Sequence, residues 1–253
     1  MIDTHCHLHD RRYDGDRDET VARARDADVA GMLTVGCDLA DSVRAIAVAK
    51  RYGLRASVGI HPHEAKDAPD DVPAALAQLL EDSPVVAIGE TGLDYYYDHS
   101  PRDAQARAFR AQLRFARERR LPLIFHQRDA YDDFAAIVRD EFDSEMRGVV
   151  HCFTGTAEQA RALTREFGFA LGIGGVVTFA NAQALRDAVR AVGIGSIVLE
   201  TDSPYLAPVP MRGKRNEPAY LSHVVSKLAE LLELDAGEIV TATSRNARNL
   251  FGL

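Results

Sequence analysis

The chain has 253 residues, of which 46% are hydrophobic and 27% are charged, a balance that excludes a disordered protein as the default. Its net charge of -8 argues against non-specific coating of nucleic acid, because that binding depends on many Lys and Arg side chains. An enzyme that acts on nucleic acid is still compatible with this charge, since bound metal cations can supply positive charge locally.

Targeting and redox signals indicate a reduced, internal environment. The start, Met1 to His5, lacks the basic and apolar regions of a signal peptide, and no apolar run reaches the roughly 20 residues of a membrane helix. Cys6, Cys37 and Cys152 are odd in number and form no CxxC pair, so we expect free thiols. The sequence therefore predicts a cytoplasmic protein with no membrane association.

Short apolar runs alternate with longer amphipathic segments along the whole chain. The predicted strands lie near residues 2–5, 31–36, 55–60, 85–89, 121–125, 147–151, 169–174 and 196–200. Between them, segments such as 102–120 and 157–167 repeat apolar residues at helical spacing. This alternation predicts an α/β protein, a (β/α)8 TIM barrel that forms a single domain over 1–253, with C-terminal helices in 218–250. A doubly wound open sheet is the competing architecture, weakened by the lack of GxGxxG after the first strand.

Potential metal ligands follow six of the eight predicted strands. They are His5-Cys6-His7, His61-Pro62-His63, Glu90, His126, His151 and Asp202. In a parallel barrel the active site lies at the carboxyl ends of the strands. Any one of these residues could be an ordinary satisfied polar group, but their placement at one rim favours a metal site.

The spacing of these residues also indicates which side chains could bind metal. Alternate residues of a strand point to the same side, so His5 and His7 face together while Cys6 points away. Glu90 and Asp202 each follow an apolar run, and a carboxylate at the end of a buried strand needs a cation nearby. Asp202 could also accept a proton from bound water, as a general base.

At these residues the sequence resembles the TatD-type metal-dependent deoxyribonucleases, a branch of the amidohydrolase-like barrels. The resemblance extends from Asp3 to about Phe251. The matching stretches are Asp3-Thr-His-Cys-His-Leu8, Gly59-Ile-His-Pro-His63, Gly89-Glu-Thr-Gly-Leu-Asp94, His126-Gln-Arg-Asp-Ala130, His151-Cys-Phe-Thr-Gly155, Glu200-Thr-Asp-Ser-Pro-Tyr-Leu206, Arg215-Asn-Glu-Pro218 and Asn246-Ala-Arg-Asn-Leu-Phe251. The HxH pair alone is a weak signal, whereas the ordered set is specific.

The resemblance implies a site for two divalent metal ions. In that set one ion is bound by His5, His7 and Asp202, the second by His126 and His151, and Glu90 bridges the two. Phosphodiester chemistry and the habit of the family favour Mg²⁺ or Mn²⁺, and imidazole ligands also suit Zn²⁺. Ions about 3.5–4 Å apart would activate a bridging water and clamp the scissile phosphate.

Further residues are predicted to contact the substrate. His61 is assigned to a phosphate oxygen or to protonation of the leaving group, and Arg215, in a basic segment, to a phosphate, unless it pairs with Glu217. Tyr205 could stack on an exposed base. The run Tyr95-Tyr96-Tyr97 could do the same, although packing within its loop is the favoured interpretation.

These observations predict a divalent-metal-dependent hydrolase of DNA phosphodiesters. The resemblance alone implies a 3′-to-5′ exonuclease acting on single-stranded ends. No obligate protein partner is evident from the sequence. One alternative keeps the bimetal site but cleaves a small-molecule ester or C–N bond, because one fold supports many reactions. Glu90 in place of a bridging Lys disfavours the cyclic-amide branch. A non-catalytic binding protein is the other alternative, disfavoured by the intact ligand set.

Overall fold

The eight strands of the computed structural model, which describes residues 1–81, 83–97 and 99–253, belong to one sheet in chain order. They are β1 (Ile2–Cys6), β2 (Gly31–Val35), β3 (Arg55–Val58), β4 (Val85–Asp94), β5 (Leu123–Arg128), β6 (Gly148–Val150), β7 (Ala170–Ile173) and β8 (Ile197–Leu199). Each predicted strand is present, and the pairings are parallel. The predicted α/β class is confirmed. The fourth strand is longer than predicted, since it continues from 89 to Asp94.

Helices separate the strands at the predicted places. They are α1 (Arg17–Asp26), α2 (Leu39–Tyr52), α3 (Val72–Leu79), α4 (Arg102–Arg119), α5 (Tyr131–Glu141), α6 (Ala157–Glu166), α7 (Gln183–Val192), α8 (Leu221–Leu232) and α9 (Ala236–Phe251). Local signals fix several ends: Thr156 begins α6 with a capping box, and Gly53, at a φ of 69°, ends α2. None of the helices in the described ranges is both long and apolar enough to cross a membrane.

The chain divides into two compact units, residues 1–34 with 151–253, and residues 35–150. The prediction of a single domain over 1–253 stays a prediction. In the first unit β1 pairs with β2, and β7 pairs with β8. The backbone after β8 returns to β1, because Asp202 N donates to His5 O at 2.8 Å and His7 N donates to Ser203 O at 2.7 Å. The carboxyl ends of β1 and β8 are thereby held together.

The second unit contains α2, strands β3 to β6 and the helices between these strands. Its core includes three fully buried aromatic rings, Phe109 on α4, Phe125 on β5 and Phe134 on α5. The Phe109 and Phe134 rings stack with centroids 5.3 Å apart, and Phe125 meets both edge-on. This packing fixes α4 and α5 against the strand that carries His126.

Candidate metal centre

Three polar side chains converge at the joined ends of β1 and β8 in the first unit. The Nε2 atoms of His5 and His7 lie 3.3 Å apart, and they lie 3.8 and 3.5 Å from Asp202 Oδ1. As strand alternation predicts, Cys6 points the other way, and its Sγ donates to Leu33 O. Two imidazole nitrogens and one carboxylate oxygen thus surround a point where a cation would fit.

Asp202 is an ionised carboxylate in this setting. Burial would by itself raise its pKa, but the hydrogen bond from His7 and the charges of His151 and His5 outweigh burial and hold the pKa below its usual value. Its backbone lies in the left-handed region, with φ at 55°. The ion pairs described for Asp202 within its own unit are with histidines, which become neutral donors to a metal once they lose their protons.

His151 has a buried carboxylate close to its Nδ1 atom. Its ring stacks on His5 with centroids 3.9 Å apart, and its Nδ1 lies 3.6 Å from Glu200 Oε1. Glu200 is fully buried, accepts the Cys152 N–H, and occupies space that a side chain at Gly172 would fill. A carboxylate facing one imidazole nitrogen leaves the other nitrogen available as a metal ligand.

A second convergence lies in the second unit, around Glu90. Its Oε1 is 2.8 Å from His126 Nδ1 and 3.5 Å from His61 Nε2, and Glu90 is only 3% exposed. Glu90 lies within β4 rather than at its end, which corrects the predicted position. Gly89 precedes it at a φ of 144°, where a Cβ would press on the backbone of Ile124, so the tight approach of β5 requires glycine.

Asp94 is a site residue that the sequence reasoning missed. Its Oδ2 lies 3.0 Å from His126 Nε2 and 2.9 Å from His63 Nε2, and its Oδ1 accepts the N–H groups of Tyr96 and Tyr97. Burial opposes its ionisation, but the hydrogen bonds from His126 and from the Tyr97 backbone dominate and hold the pKa of Asp94 well below its usual value. The even spacing from Glu90 to Asp94 along one strand was the available signal.

His61 is a neutral imidazole. Its Nδ1 accepts the His63 N–H at 3.1 Å, so the ring proton resides on Nε2, facing Glu90. Burial lowers the pKa of His61 to about 4, with Glu90 opposing that shift only in part. A neutral Nε2–H favours the predicted hydrogen bond to a phosphate oxygen over the predicted protonation of a leaving group.

Arg215 is engaged in an ion pair far from its sequence neighbours. Its guanidinium donates to both carboxylate oxygens of Asp16, at 2.7 and 2.6 Å, and to Arg12 O at 2.6 Å. Glu217, the alternative partner named by the sequence, pairs with Arg23 at 2.6 Å instead. This geometry gives Arg215 a structural role, and its phosphate contact stays a prediction.

Tyr205 lies in the segment after β8, and its stacking on a base stays a prediction. It is 47% exposed, its ring lies 6.0 Å from that of His7, and the Arg12 guanidinium lies 4.2 Å from its centroid. An exposed aromatic face beside a guanidinium suits an unpaired base.

Comparison with known proteins shows which family this chain is similar to. A family model described as TatD related DNase matches residues 2–252. An uncharacterized metal-dependent hydrolase of Bacillus subtilis, YabD, is 41% identical over 252 residues, which cover 99% of this chain and 98% of the relative. A protein of Erwinia tasmaniensis named 3′-5′ ssDNA/RNA exonuclease TatD is 37% identical over 260 residues, covering both chains in full.

Solved structures agree with the sequence comparisons. The crystal structure of the Escherichia coli TatD homologue YJJV superposes with a TM-score of 0.93 at 32% identity, covering 100% of this chain and 98% of that one. The predicted (β/α)8 barrel is thereby confirmed, and so is the predicted enzyme class, a metal-dependent hydrolase. The chain belongs to the TatD family of metal-dependent hydrolases.

Proposed function

We propose that this chain is a divalent-metal-dependent nuclease that removes nucleotides from the 3′ ends of single-stranded DNA. The observation that carries the proposal is the convergence of Asp202 with the buried His5 and His7, each with a donor atom within 4 Å of the others. The full-length similarity to a relative named as a 3′-5′ ssDNA/RNA exonuclease supports the polarity and the substrate class.

The donor chemistry fits divalent cations. Imidazole nitrogens and carboxylate oxygens together suit Mn²⁺ and Zn²⁺, and carboxylates suit Mg²⁺. Buried carboxylates such as Glu90, at 3% exposure, are costly unless a cation compensates their charge. We propose two ions per chain. The proposed ligands are the six predicted ones, His5, His7, Glu90, His126, His151 and Asp202.

Side chains of the protein supply the general base, the phosphate contact and the groups that lie beside the proposed ligands. Bound divalent ions supply a water of lowered pKa and positive charge against the phosphate oxygens. Asp202, ionised at neutral pH, accepts the proton of the attacking water. His61 donates its Nε2–H to a phosphate oxygen. Asp94 fixes the orientation of His126 through a hydrogen bond, and Glu200 places a negative charge 3.6 Å from His151 Nδ1.

The test is metal-dependent cleavage of end-labelled single-stranded DNA. Protein stripped with a chelator and supplied with Mg²⁺, Mn²⁺ or Zn²⁺ should give a ladder that shortens from the 3′ end. Glu90→Ala should lose at least about a hundredfold in rate, since it removes charge that the ions require. Glu230→Ala, at an exposed position on α8, should cleave normally. A folded protein that cleaves no DNA with any of these ions would contradict the proposal and direct attention to small esters and amides.

A second variant tests the role of Asp202. Asp202→Asn retains an oxygen ligand but is a much weaker proton acceptor, so we expect the rate to fall by about a hundredfold, within the range for general-base catalysis. The metal content of the variant, measured by mass spectrometry, shows whether the fall in rate comes from loss of a bound ion. A variant that keeps both ions and the full rate would remove Asp202 from the role of base.

A further inference from the structure

The segment after β4 presents two exposed tyrosines. Tyr96 and Tyr97 have 56% and 43% of their surface exposed. The preceding Tyr95 is anchored, because its hydroxyl donates to Asp133 Oδ2 at 2.7 Å and the Arg102 guanidinium covers its ring at 3.9 Å. The second and third tyrosines are therefore the more exposed and the less constrained members of the run.

Arg128 lies against this ring surface. Its guanidinium carbon is 3.8 Å from the Tyr96 centroid and 4.9 Å from that of Tyr97. It lies two residues beyond His126 on β5, so both side chains leave the strand on the same side. Among the residues that the structure describes, no carboxylate forms an ion pair with Arg128, in contrast to Arg215. The tyrosines thus carry a cation whose charge is available to an anionic ligand.

Asp94, which contacts His126, also binds the backbone of the tyrosine segment. Asp94 Oδ1 accepts the N–H groups of Tyr96 and Tyr97 at 2.9 and 3.0 Å, while Oδ2 lies 3.0 Å from His126 Nε2. The ring of His63 lies near both Tyr97 and His126, with ring centroids 5.4 and 6.1 Å apart, respectively. The exposed rings therefore have a fixed position next to a proposed metal ligand.

We propose that Tyr96, Tyr97 and Arg128 form a subsite for the nucleotide next to the scissile bond of a DNA single strand. The unpaired base stacks on the tyrosine rings, and the Arg128 guanidinium binds a phosphate oxygen. Aromatic rings combined with arginine bind single strands without regard to sequence, and a base inside a duplex has no free face to offer. In a chain of net charge -8, a local cation is needed to attract the phosphate. This inference rests on the proposed nuclease function.

The decisive measurement separates stacking from phosphate binding. Affinity is measured by fluorescence anisotropy in Mn²⁺ with a 5′-labelled single strand whose 3′-terminal linkages are phosphorothioates, to slow cleavage. A second strand lacks the two 3′-terminal bases but keeps their phosphates. The intact protein should bind the first strand about tenfold more tightly than the second, within the range for base–aromatic stacking.

The variants give distinct expected results. Tyr96→Ala should bind the complete strand about tenfold more weakly and should no longer distinguish the two strands. Arg128→Gln should weaken binding of both strands by a similar factor, because both keep the phosphates. Tyr52→Ala and Arg51→Gln are matched controls, since they alter another tyrosine–arginine pair, 5.1 Å apart on α2, and should behave like the unaltered protein.

Failure of this inference is distinguishable from failure of the proposed function. If the unaltered protein cleaves ordinary single strands while Tyr96→Ala and Tyr97→Ala each keep the full preference for the complete strand, the subsite is wrong and the nuclease stands. If Arg128→Gln leaves binding of both strands unchanged, the phosphate contact is wrong. Absence of cleavage by the unaltered protein with any metal contradicts the nuclease itself, and the subsite with it.

Discussion

At the scale of single residues, two of the proposed ligands, His126 and His151, have a buried carboxylate behind them. Asp94 lies 3.0 Å from His126 Nε2, and Glu200 lies 3.6 Å from His151 Nδ1. A carboxylate at one imidazole nitrogen fixes the tautomer and raises the basicity of the other nitrogen. In both cases the partner lies outside the predicted ligand set, so we expect the affinity for metal to depend on residues that are not themselves ligands.

Substitution of Asp94 tests this dependence. Asp94→Asn keeps the size of the side chain but removes the negative charge beside His126, so we expect metal affinity to fall by about 10- to 100-fold. Competition with a chromogenic zinc chelator measures the dissociation constant. Asp133→Asn, which alters the acceptor of the Tyr95 hydroxyl, serves as the control. Equal zinc affinity in the Asp94 variant and the unaltered protein would show that the contact has no influence on the ligand.

The sequence alone predicted the residues of the proposed ligand set but not the side chains that contact them. His5, His7 and Asp202 stand directly at the ends of predicted strands, where the fold dictates their direction. Arg215 was assigned to a phosphate or to the adjacent Glu217, yet it pairs with Asp16, 199 residues away. Local sequence holds no information on such a pair, because it depends on how distant loops pack.

At the scale of elements, helix α4 positions the ends of two strands through a pair of buried glutamines. Gln112 exchanges hydrogen bonds with the backbone of Ile60, accepting its N–H at 2.8 Å and donating to its carbonyl at 3.0 Å. Gln105, seven residues earlier on the same helix face, does the same with Asp94, at 2.9 and 3.1 Å. The residues beside His61 and at the end of β4 thus owe their positions to one helix.

Loss of one glutamine should destabilise the fold. Gln112→Leu leaves the N–H and carbonyl of Ile60 buried without their partner, at about 1–3 kcal/mol each, so we expect the free energy of unfolding to fall by about 2–4 kcal/mol. Urea denaturation followed by circular dichroism measures the change. Gln183→Leu, at an exposed position of α7, should change stability by less than about 0.5 kcal/mol. A loss of stability in Gln112→Leu as small as that in Gln183→Leu would show that the hydrogen bonds between Gln112 and Ile60 do not stabilise the fold.

The length of β4 shows why element boundaries escape prediction from sequence. After Ile88 the strand continues as Gly-Glu-Thr-Gly-Leu-Asp, in which the one β-branched residue is Thr91. The predicted strand therefore ends at 89. Pairing with β5 sustains it, with Gly92 opposite His126 and Asp94 opposite Arg128. Tertiary pairing outweighs local propensity here, and the same pairing extends β5 beyond the predicted 121–125 to Arg128.

The ion pair between α1 and the loop before α8 makes stability depend on pH. Hydrogen bonds from Arg215, opposed by burial and aided by Arg23, lower the pKa of Asp16 to about 2. A carboxyl with a lowered pKa contributes stability above its ordinary pKa of about 3.9, and this contribution is lost as the pH falls towards 2. Because Asp16 is about a third exposed, we expect about 1 kcal/mol, after allowance for screening. Asp16→Asn should therefore be less stable at pH 7, and the difference should vanish as the pH falls through about 2, which denaturation at a series of pH values tests. A difference that is constant with pH would exclude the ion pair as its source.

At the scale of the whole molecule, an acidic chain places carboxylates with little solvent exposure beside histidines. The net charge is -8, and Glu90 and Asp202 lie among imidazoles rather than beside Lys or Arg in the contacts described for them. Cations that bind the folded chain and not the unfolded one should therefore stabilise it. We therefore expect the free energy of unfolding to rise and fall with the metal content.

Metal removal is expected to lower the melting temperature. At a concentration 100 times its dissociation constant, one ion adds about 2.7 kcal/mol of stability, and each kcal/mol shifts the melting temperature of a chain of this size by about 2–4 °C. Calorimetry of chelated protein before and after addition of Mn²⁺ or Zn²⁺ should therefore give a rise of about 5–10 °C per ion. Glu90→Ala should show a smaller rise, because it has lost a ligand, and Glu230→Ala should show the full one. Monovalent salt at equal ionic strength is the control for screening, and a rise that is the same in Glu90→Ala and the unaltered protein would place the bound ions elsewhere.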